Sequence, residues 1–113
     1  MEVQKIATVI PVDDLHAAVG GWKALLGAEP TFVDGDRWAQ FDVAGARIAL
    51  AGTDRTSNRA GLMLKVADLE AARAAAAELG LAVGSPEEGP HEVRCLVEGP
   101  DGTPVTLYAP IGG

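Results

Sequence analysis

Cysteine is almost missing from this chain: Cys95 is the only one, so no internal disulfide is available and a cross-linked secreted scaffold is excluded. Basic residues are also few, 9 Lys and Arg against 16 acidic residues, and the resulting net charge of −7 would repel a phosphate backbone. Nucleic acid is therefore not an expected partner. No apolar run approaches the roughly 20 residues that a membrane-spanning helix requires. The opening Met1-Glu2-Val3-Gln4-Lys5 is not a charged leader ahead of a long apolar segment, and a cytoplasmic protein with no membrane contact is expected. Histidine occurs only at His16 and His91, which leaves little material for an imidazole-based metal site.

What the chain does contain is 48% apolar residues over 113 positions, enough for one core, and a single domain spanning 1–113 is expected. It also contains an internal repeat. Val12-Asp13-Asp14-Leu15-His16-Ala17-Ala18 returns as Val66-Ala67-Asp68-Leu69-Glu70-Ala71-Ala72, 54 residues later. Each copy follows an apolar strand-like run and opens an alanine-rich helix with an Asp.

Lys5 to Val12 is β-branched and predicts a buried strand. Asp14 caps a helix whose Leu15, Val19, Trp22 and Leu25-Leu26 recur at helical spacing, with Gly27 as its left-handed stop. Thr31 to Val33, Trp38 to Val43 and Ala46 to Ala51 predict three strands joined at Asp34-Gly35 and Ala44-Gly45. A polar linker, Gly52 to Arg59, leads to a strand at Gly61 to Val66 and a helix from Leu69 to Leu79 capped by Asp68. Leu81 to Val83 reads as a short strand, Gly84 to Pro90 as a loop, and His91 to Val97 and Pro104 to Tyr108 as a hairpin around Gly99-Pro100-Asp101-Gly102. The fold class is α+β, built from two tandem βαβββ modules at about 1–54 and 59–113.

Strand alternation separates the two faces of each module. With Ala44-Gly45 at the turn, Val43 pairs with Ala46, Phe41 with Ile48 and Ala39 with Leu50, all beneath the helix. Trp38, Gln40, Asp42, Arg47, Ala49 and Ala51 then point the other way, a mixture that suits a ligand cavity. In the last hairpin Val105 and Leu107 are buried, and Pro104, Thr106 and Tyr108 share the opposite face with Glu92, Arg94 and Leu96.

The paired βαβββ units, the helix ending Trp22-Lys23-Ala24-Leu25-Leu26-Gly27 and the turn Gly99-Pro100-Asp101-Gly102-Thr103 together resemble the vicinal oxygen chelate superfamily. That superfamily groups glyoxalase I, extradiol dioxygenases and bleomycin-resistance type binding proteins. The resemblance covers nearly the whole chain and implies a curved mixed sheet around a cavity, with helices on its convex face. It also implies four places where the metal enzymes carry His or Glu. In this sequence they fall on Ala7, Ala49, Gly61 and Thr106, none of which offers a carboxylate or imidazole. Metal ligands are thus expected to be none, and so are cofactors and catalytic residues.

His16 and His91 read as exposed residues in a first helical turn and a loop, and Cys95 as a small buried hydrophobe between Val93 and Val97. Ser57 and Ser85 have no base nearby for a nucleophilic triad. Trp38 has two readings, core packing or a flat apolar surface for a ligand, with Tyr108 as its counterpart from the second half. Asp42 with Arg47 is either a solvated surface pair or a polar contact at a cavity rim.

The function expected on these grounds is metal-independent binding of a bulky, partly aromatic small molecule by a homodimer. Sequestration, as in the antibiotic-resistance members of the superfamily, is the role that the resemblance supplies. The ligand-binding set is Trp38, Gln40, Asp42, Arg47, Arg94, Thr106 and Tyr108. The alternatives are a metal-dependent glyoxalase-like lyase, isomerase or dioxygenase, and a structural or regulatory module with an empty cleft.

Overall fold

A computed structural model describes residues 1–111 of the chain. The last two positions of the expected second module, 112 and 113, lie outside the described residues. The fold is α+β, as the alternation and helical spacing predict. The chain divides into two compact units, one from Ala7 to Ala60 and the other combining Met1–Ile6 with the chain from Gly61 onward. The boundary falls inside the first strand.

In the Ala7–Ala60 unit, β1 (Lys5–Pro11) runs parallel to β4 (Ala46–Ala51), which pairs antiparallel with β3 (Trp38–Val43). Beyond β3 lies β2 (Phe32–Asp34). Helix α1 (Leu15–Leu26) starts where Asp14, in extended conformation, accepts a hydrogen bond from Ala17 N at 3.1 Å. It stops at Gly27, whose φ of 64° an L side chain rarely adopts, and Gly27 N donates to Lys23 O. Leu15, Ala18, Val19, Trp22 and Leu26 of α1 pack on Ala39, Phe41, Val43, Ile48 and Leu50 of the hairpin. Every predicted pair of that hairpin is present: Val43 with Ala46, Phe41 with Ile48, Ala39 with Leu50. Ala44 at φ 53° and Gly45 at φ 78° give the two-residue turn the left-handed backbone that matches strand twist.

The other unit repeats this plan. β5 (Gly61–Lys65) is parallel to β8 (Pro104–Pro110), β8 is antiparallel to β7 (Glu92–Glu98), and β6 (Glu87–Glu88) lies beyond β7. Helix α2 (Leu69–Glu78) is capped by Asp68, whose carboxylate accepts from Ala71 N at 3.1 Å, the same distance as at Asp14. Its Leu69, Ala72 and Ala76 pack on Val66, Cys95, Val97, Leu107 and Ala109. The repeat seen in the sequence therefore extends to single hydrogen bonds: Val12 N donates to Ala51 O and Val66 N to Tyr108 O, both at 2.9 Å.

Four expectations need correction. β1 is not buried along its length: Ala7 is, but Ile6 is 61% exposed and Thr8 is exposed, because helices cover only part of a sheet face. Leu25 is 75% exposed, since Leu26 and not Leu25 continues the stripe of Leu15, Ala18, Val19 and Trp22. Residues 81–83 form only a single bridge, Val83 to Val97, whereas the expected loop contains β6, paired with Val93 and Arg94. Pro86 lacks the N–H that would continue pairing, and the chain resumes it at Glu87. β8 continues two residues further, to Pro110. No helix among the described residues is long and apolar enough to cross a membrane.

Candidate functional site

The helix-free face of the Ala7–Ala60 unit is laid out in rows by the strand register. Asp34, Trp38, Ala51 and Pro11 form one row, and Phe32, Gln40, Ala49 and Val9 the next. Asp42 and Arg47 face each other in a third. All four predicted site residues of this half, Trp38, Gln40, Asp42 and Arg47, thus share one face opposite the helix-packed Ala39, Phe41 and Leu50.

Trp38 is half-buried, neither a full core residue nor a free surface one. Ala49 and Ala51, expected to line an open cavity, are only 1% exposed and form a closed floor between taller neighbours. Sequence reasoning missed Phe32, which is 53% exposed beside Gln40. Alternation counted back through the Asp34-Gly35 turn would have placed it there.

Asp42 is the best-held group on this face. Arg47 Nε donates to its Oδ1 at 2.8 Å and Gln40 Nε2 to its Oδ2 at 3.0 Å. The Arg47 bond first, then those from Gln40 and the Thr31 hydroxyl, lower the carboxyl pKa from 3.8 to about 2. Thr31 is the second residue that sequence reasoning missed. A depressed folded-state pKa means that the interaction contributes fully above the unfolded value and is lost as pH falls through the folded one. An NMR titration of the Asp42 carboxyl carbon should show a midpoint near 2, rising toward 3.8 in Arg47→Ala. A wild-type midpoint at or above 3.8 would contradict this arrangement.

The linker that closes this unit is tied down by Arg55, whose Nε donates to Gly52 O at 2.7 Å and whose Nη2 donates to Val12 O. Gly52 has a packing role as well. A Cβ there would lie 2.1 Å from Asp36 O, so the turn after β2 can close against it only because the side chain is absent.

In the second unit Arg94, Thr106 and Tyr108 also share a helix-free face: Arg94 lies opposite Tyr108, Leu96 opposite Thr106, and Lys65 beside Tyr108. Arg94 reaches Glu87 at 3.8 Å. Thr106 is 6% exposed and presents little surface to a ligand. The register also assigns equivalents between the halves. Trp38 faces Ala51 as Arg94 faces Tyr108, so the positional equivalent of Trp38 is Arg94, and that of Tyr108 is Ala51. Cys95 is fully buried beneath α2, where burial pushes its thiol pKa up and the nearby Arg73 offsets this in part. His16 and His91 are exposed.

The four positions at which the metal enzymes carry ligands repeat their geometry too. Val9 lies opposite Ala49 as Met63 lies opposite Thr106, with Ala7 and Gly61 two residues earlier on their strands. The donors do not fit a divalent ion: two Ala methyls, a glycine and one buried hydroxyl. At Gly61 the obstacle is the backbone itself, since a Cβ would lie 2.0 Å from Pro104 O. Among the described residues no three His, Cys, Asp or Glu side chains converge as a metal site.

Residues 7–108 match the glyoxalase-like domain family, and the chain belongs to it. Its fold is that of the vicinal oxygen chelate superfamily. Among solved structures it is similar to an NAD-dependent benzaldehyde dehydrogenase from Legionella pneumophila (TM-score 0.82, 13% identity, 94% of this chain and 99% of that one). A glyoxalase/bleomycin resistance protein/dioxygenase superfamily member from Vibrio splendidus 12B01 has a TM-score of 0.70 at 15% identity, covering 93% of this chain and 97% of that one. Methylmalonyl-CoA epimerase from Streptomyces coelicolor has a TM-score of 0.69 at 17% identity, covering 98% and 100%. At these identities the likeness concerns the fold alone. No curated protein sequence matches the chain.

Proposed function

We propose that this protein binds a bulky, partly aromatic small molecule without a metal ion and acts by sequestering it. The observation that carries this reading is the make-up of the helix-free face of the Ala7–Ala60 unit. A half-buried Trp38 and an exposed Phe32 flank a polar group of Gln40, Asp42 and Arg47. Meanwhile the positions that hold a metal in the family's enzymes carry Ala7, Ala49, Gly61 and Thr106. Flat apolar surface beside a few fixed polar groups is the composition of a small-molecule site, and apolar burial against the indole supplies the affinity. Within the other unit, taken by itself, Arg94 lies opposite Tyr108 as a polar-aromatic pair.

Quenching of tryptophan fluorescence across a panel of aromatic antibiotics tests the reading. At least one compound should quench saturably, and Trp38→Ala should weaken its binding about tenfold or more, the loss of one stacked aromatic contact and its buried area. Isothermal titration with the same compound separates lost binding from lost signal. If no compound binds, or if the variant binds as tightly as the parent, the proposal fails. A stoichiometric divalent ion in protein purified without chelator would favour instead a metal-dependent lyase, isomerase or dioxygenase.

A further inference from the structure

We infer that Arg47 binds a carboxylate: its Nη1–Nη2 edge, held in place by Asp42, takes a carboxylate group of the small molecule bound on the helix-free face of the Ala7–Ala60 unit. This rests on the small-molecule reading above and names a chemical class for its ligand. A guanidinium presents donors along two usable edges, and here Asp42 occupies Nε at 2.8 Å. The two Nη groups form no hydrogen bond or ion pair with another described residue. What remains is a planar pair of parallel N–H groups whose spacing matches the two oxygens of a carboxylate.

The support behind Arg47 exceeds what a surface ion pair uses. An isolated exposed pair contributes little, because two long side chains must be ordered in a high-dielectric medium. Asp42, by contrast, is held through both oxygens, by Arg47 at Oδ1 and by Gln40, two residues away on β3, at Oδ2. Gln40 fixes the carboxylate, the carboxylate fixes Nε, and the plane of the guanidinium follows. That is the arrangement by which a supporting group pre-orients a binding group before the ligand arrives. Asp42 is thus a positioning residue, and Arg47 is the one that would touch the ligand.

The surroundings favour an acid with an apolar body. Gln40 and Ala49 occupy the neighbouring row, and Phe32, 53% exposed on the far side of Gln40, continues that row two strands from Arg47 with an aromatic surface that a bulky ligand body can reach. The chain's net charge of −7 does not oppose this, since exposed charges further than about 8 Å are largely screened at physiological salt.

Side-chain NMR of arginine-labelled protein tests the proposal with three probes: 2-naphthoate, its methyl ester and inorganic phosphate. The acid should shift the Arg47 resonances and bind about tenfold or more tightly than the ester, since only the acid makes charge-assisted bonds to the fork. Arg47→Lys, which keeps the charge and loses the fork, should remove most of that difference. Asp42→Asn should weaken the acid more than the ester with the thermal midpoint of unfolding nearly unchanged. If acid and ester bind this face equally and Arg47→Lys changes neither, the carboxylate assignment is overturned while the small-molecule reading stands. Phosphate shifting Arg47 as strongly as the acid also overturns it, in favour of an unselective oxyanion contact. If neither naphthyl probe binds this face, the carboxylate proposal fails, and the antibiotic panel decides the broader reading separately.

Discussion

Gly61→Ala should destabilise the protein by about 3 kcal/mol or more, an effect at the upper end for a single added methyl group. The new Cβ would lie 2.0 Å from the carbonyl oxygen of Pro104 and 3.1 Å from the Pro104 Cβ, distances that no rotamer change relieves. Relief requires β5 to move away from β8, which strains the ladder from Leu62–Val105 to Lys65–Tyr108. Gly20→Ala on α1 is the control: nothing lies within 4 Å of its added Cβ, and it should be neutral or stabilising by about 0.5–1 kcal/mol. Urea unfolding of the two variants decides the matter. A Gly61→Ala midpoint within experimental error of the parent would show that β5 and β8 do not pack as described. Any attempt to install a His or Glu at this position meets the same obstacle.

Phe41→Ala should be comparably severe, at about 3–5 kcal/mol. Phe41 is fully buried and is among the largest side chains with no exposure; around it stand Leu15, Ala39 and Leu50, with α1 above. Truncation removes a ring's worth of contact from a small core whose alanines cannot expand to fill the gap. Leu25→Ala, on the helix that covers Phe41 but exposed, should shift stability by no more than about 0.5 kcal/mol. Equilibrium unfolding with unchanged m-values measures both, and a Phe41→Ala loss below about 1 kcal/mol would place the side chain outside the core.

The hairpin around Ala44-Gly45 was legible residue by residue, because a two-residue turn fixes register and alternation then fixes every face. The helix caps were legible for a similar reason: Asp14 and Asp68 act on backbone three residues away, so the signal is local. Exposure along β1 was not, since it depends on which part of the sheet a helix covers and not on the β-branched character of Ile6 or Thr8. The same holds for β6, a two-residue strand whose acidic side chains give no strand pattern of their own. At the site, alternation placed Trp38, Gln40, Asp42 and Arg47 on one face, but the contributions of Thr31 and Phe32 come from a third strand and its approach. That Trp38 corresponds to Arg94, and not to Tyr108, required the pairing across strands in both halves.

The boundary inside β1 bears on the order in which the molecule is made. Ala7–Ala60 is a contiguous stretch, so everything that this unit packs against itself has left the ribosome once Ala60 has. Met1–Ile6 belongs with the later half, where Gln4 N donates to Lys65 O. Residues 1–6 are therefore synthesised before the first unit yet find their partners only after it, and in a nascent chain halted after the linker they would still lack Gly61–Lys65 to dock on.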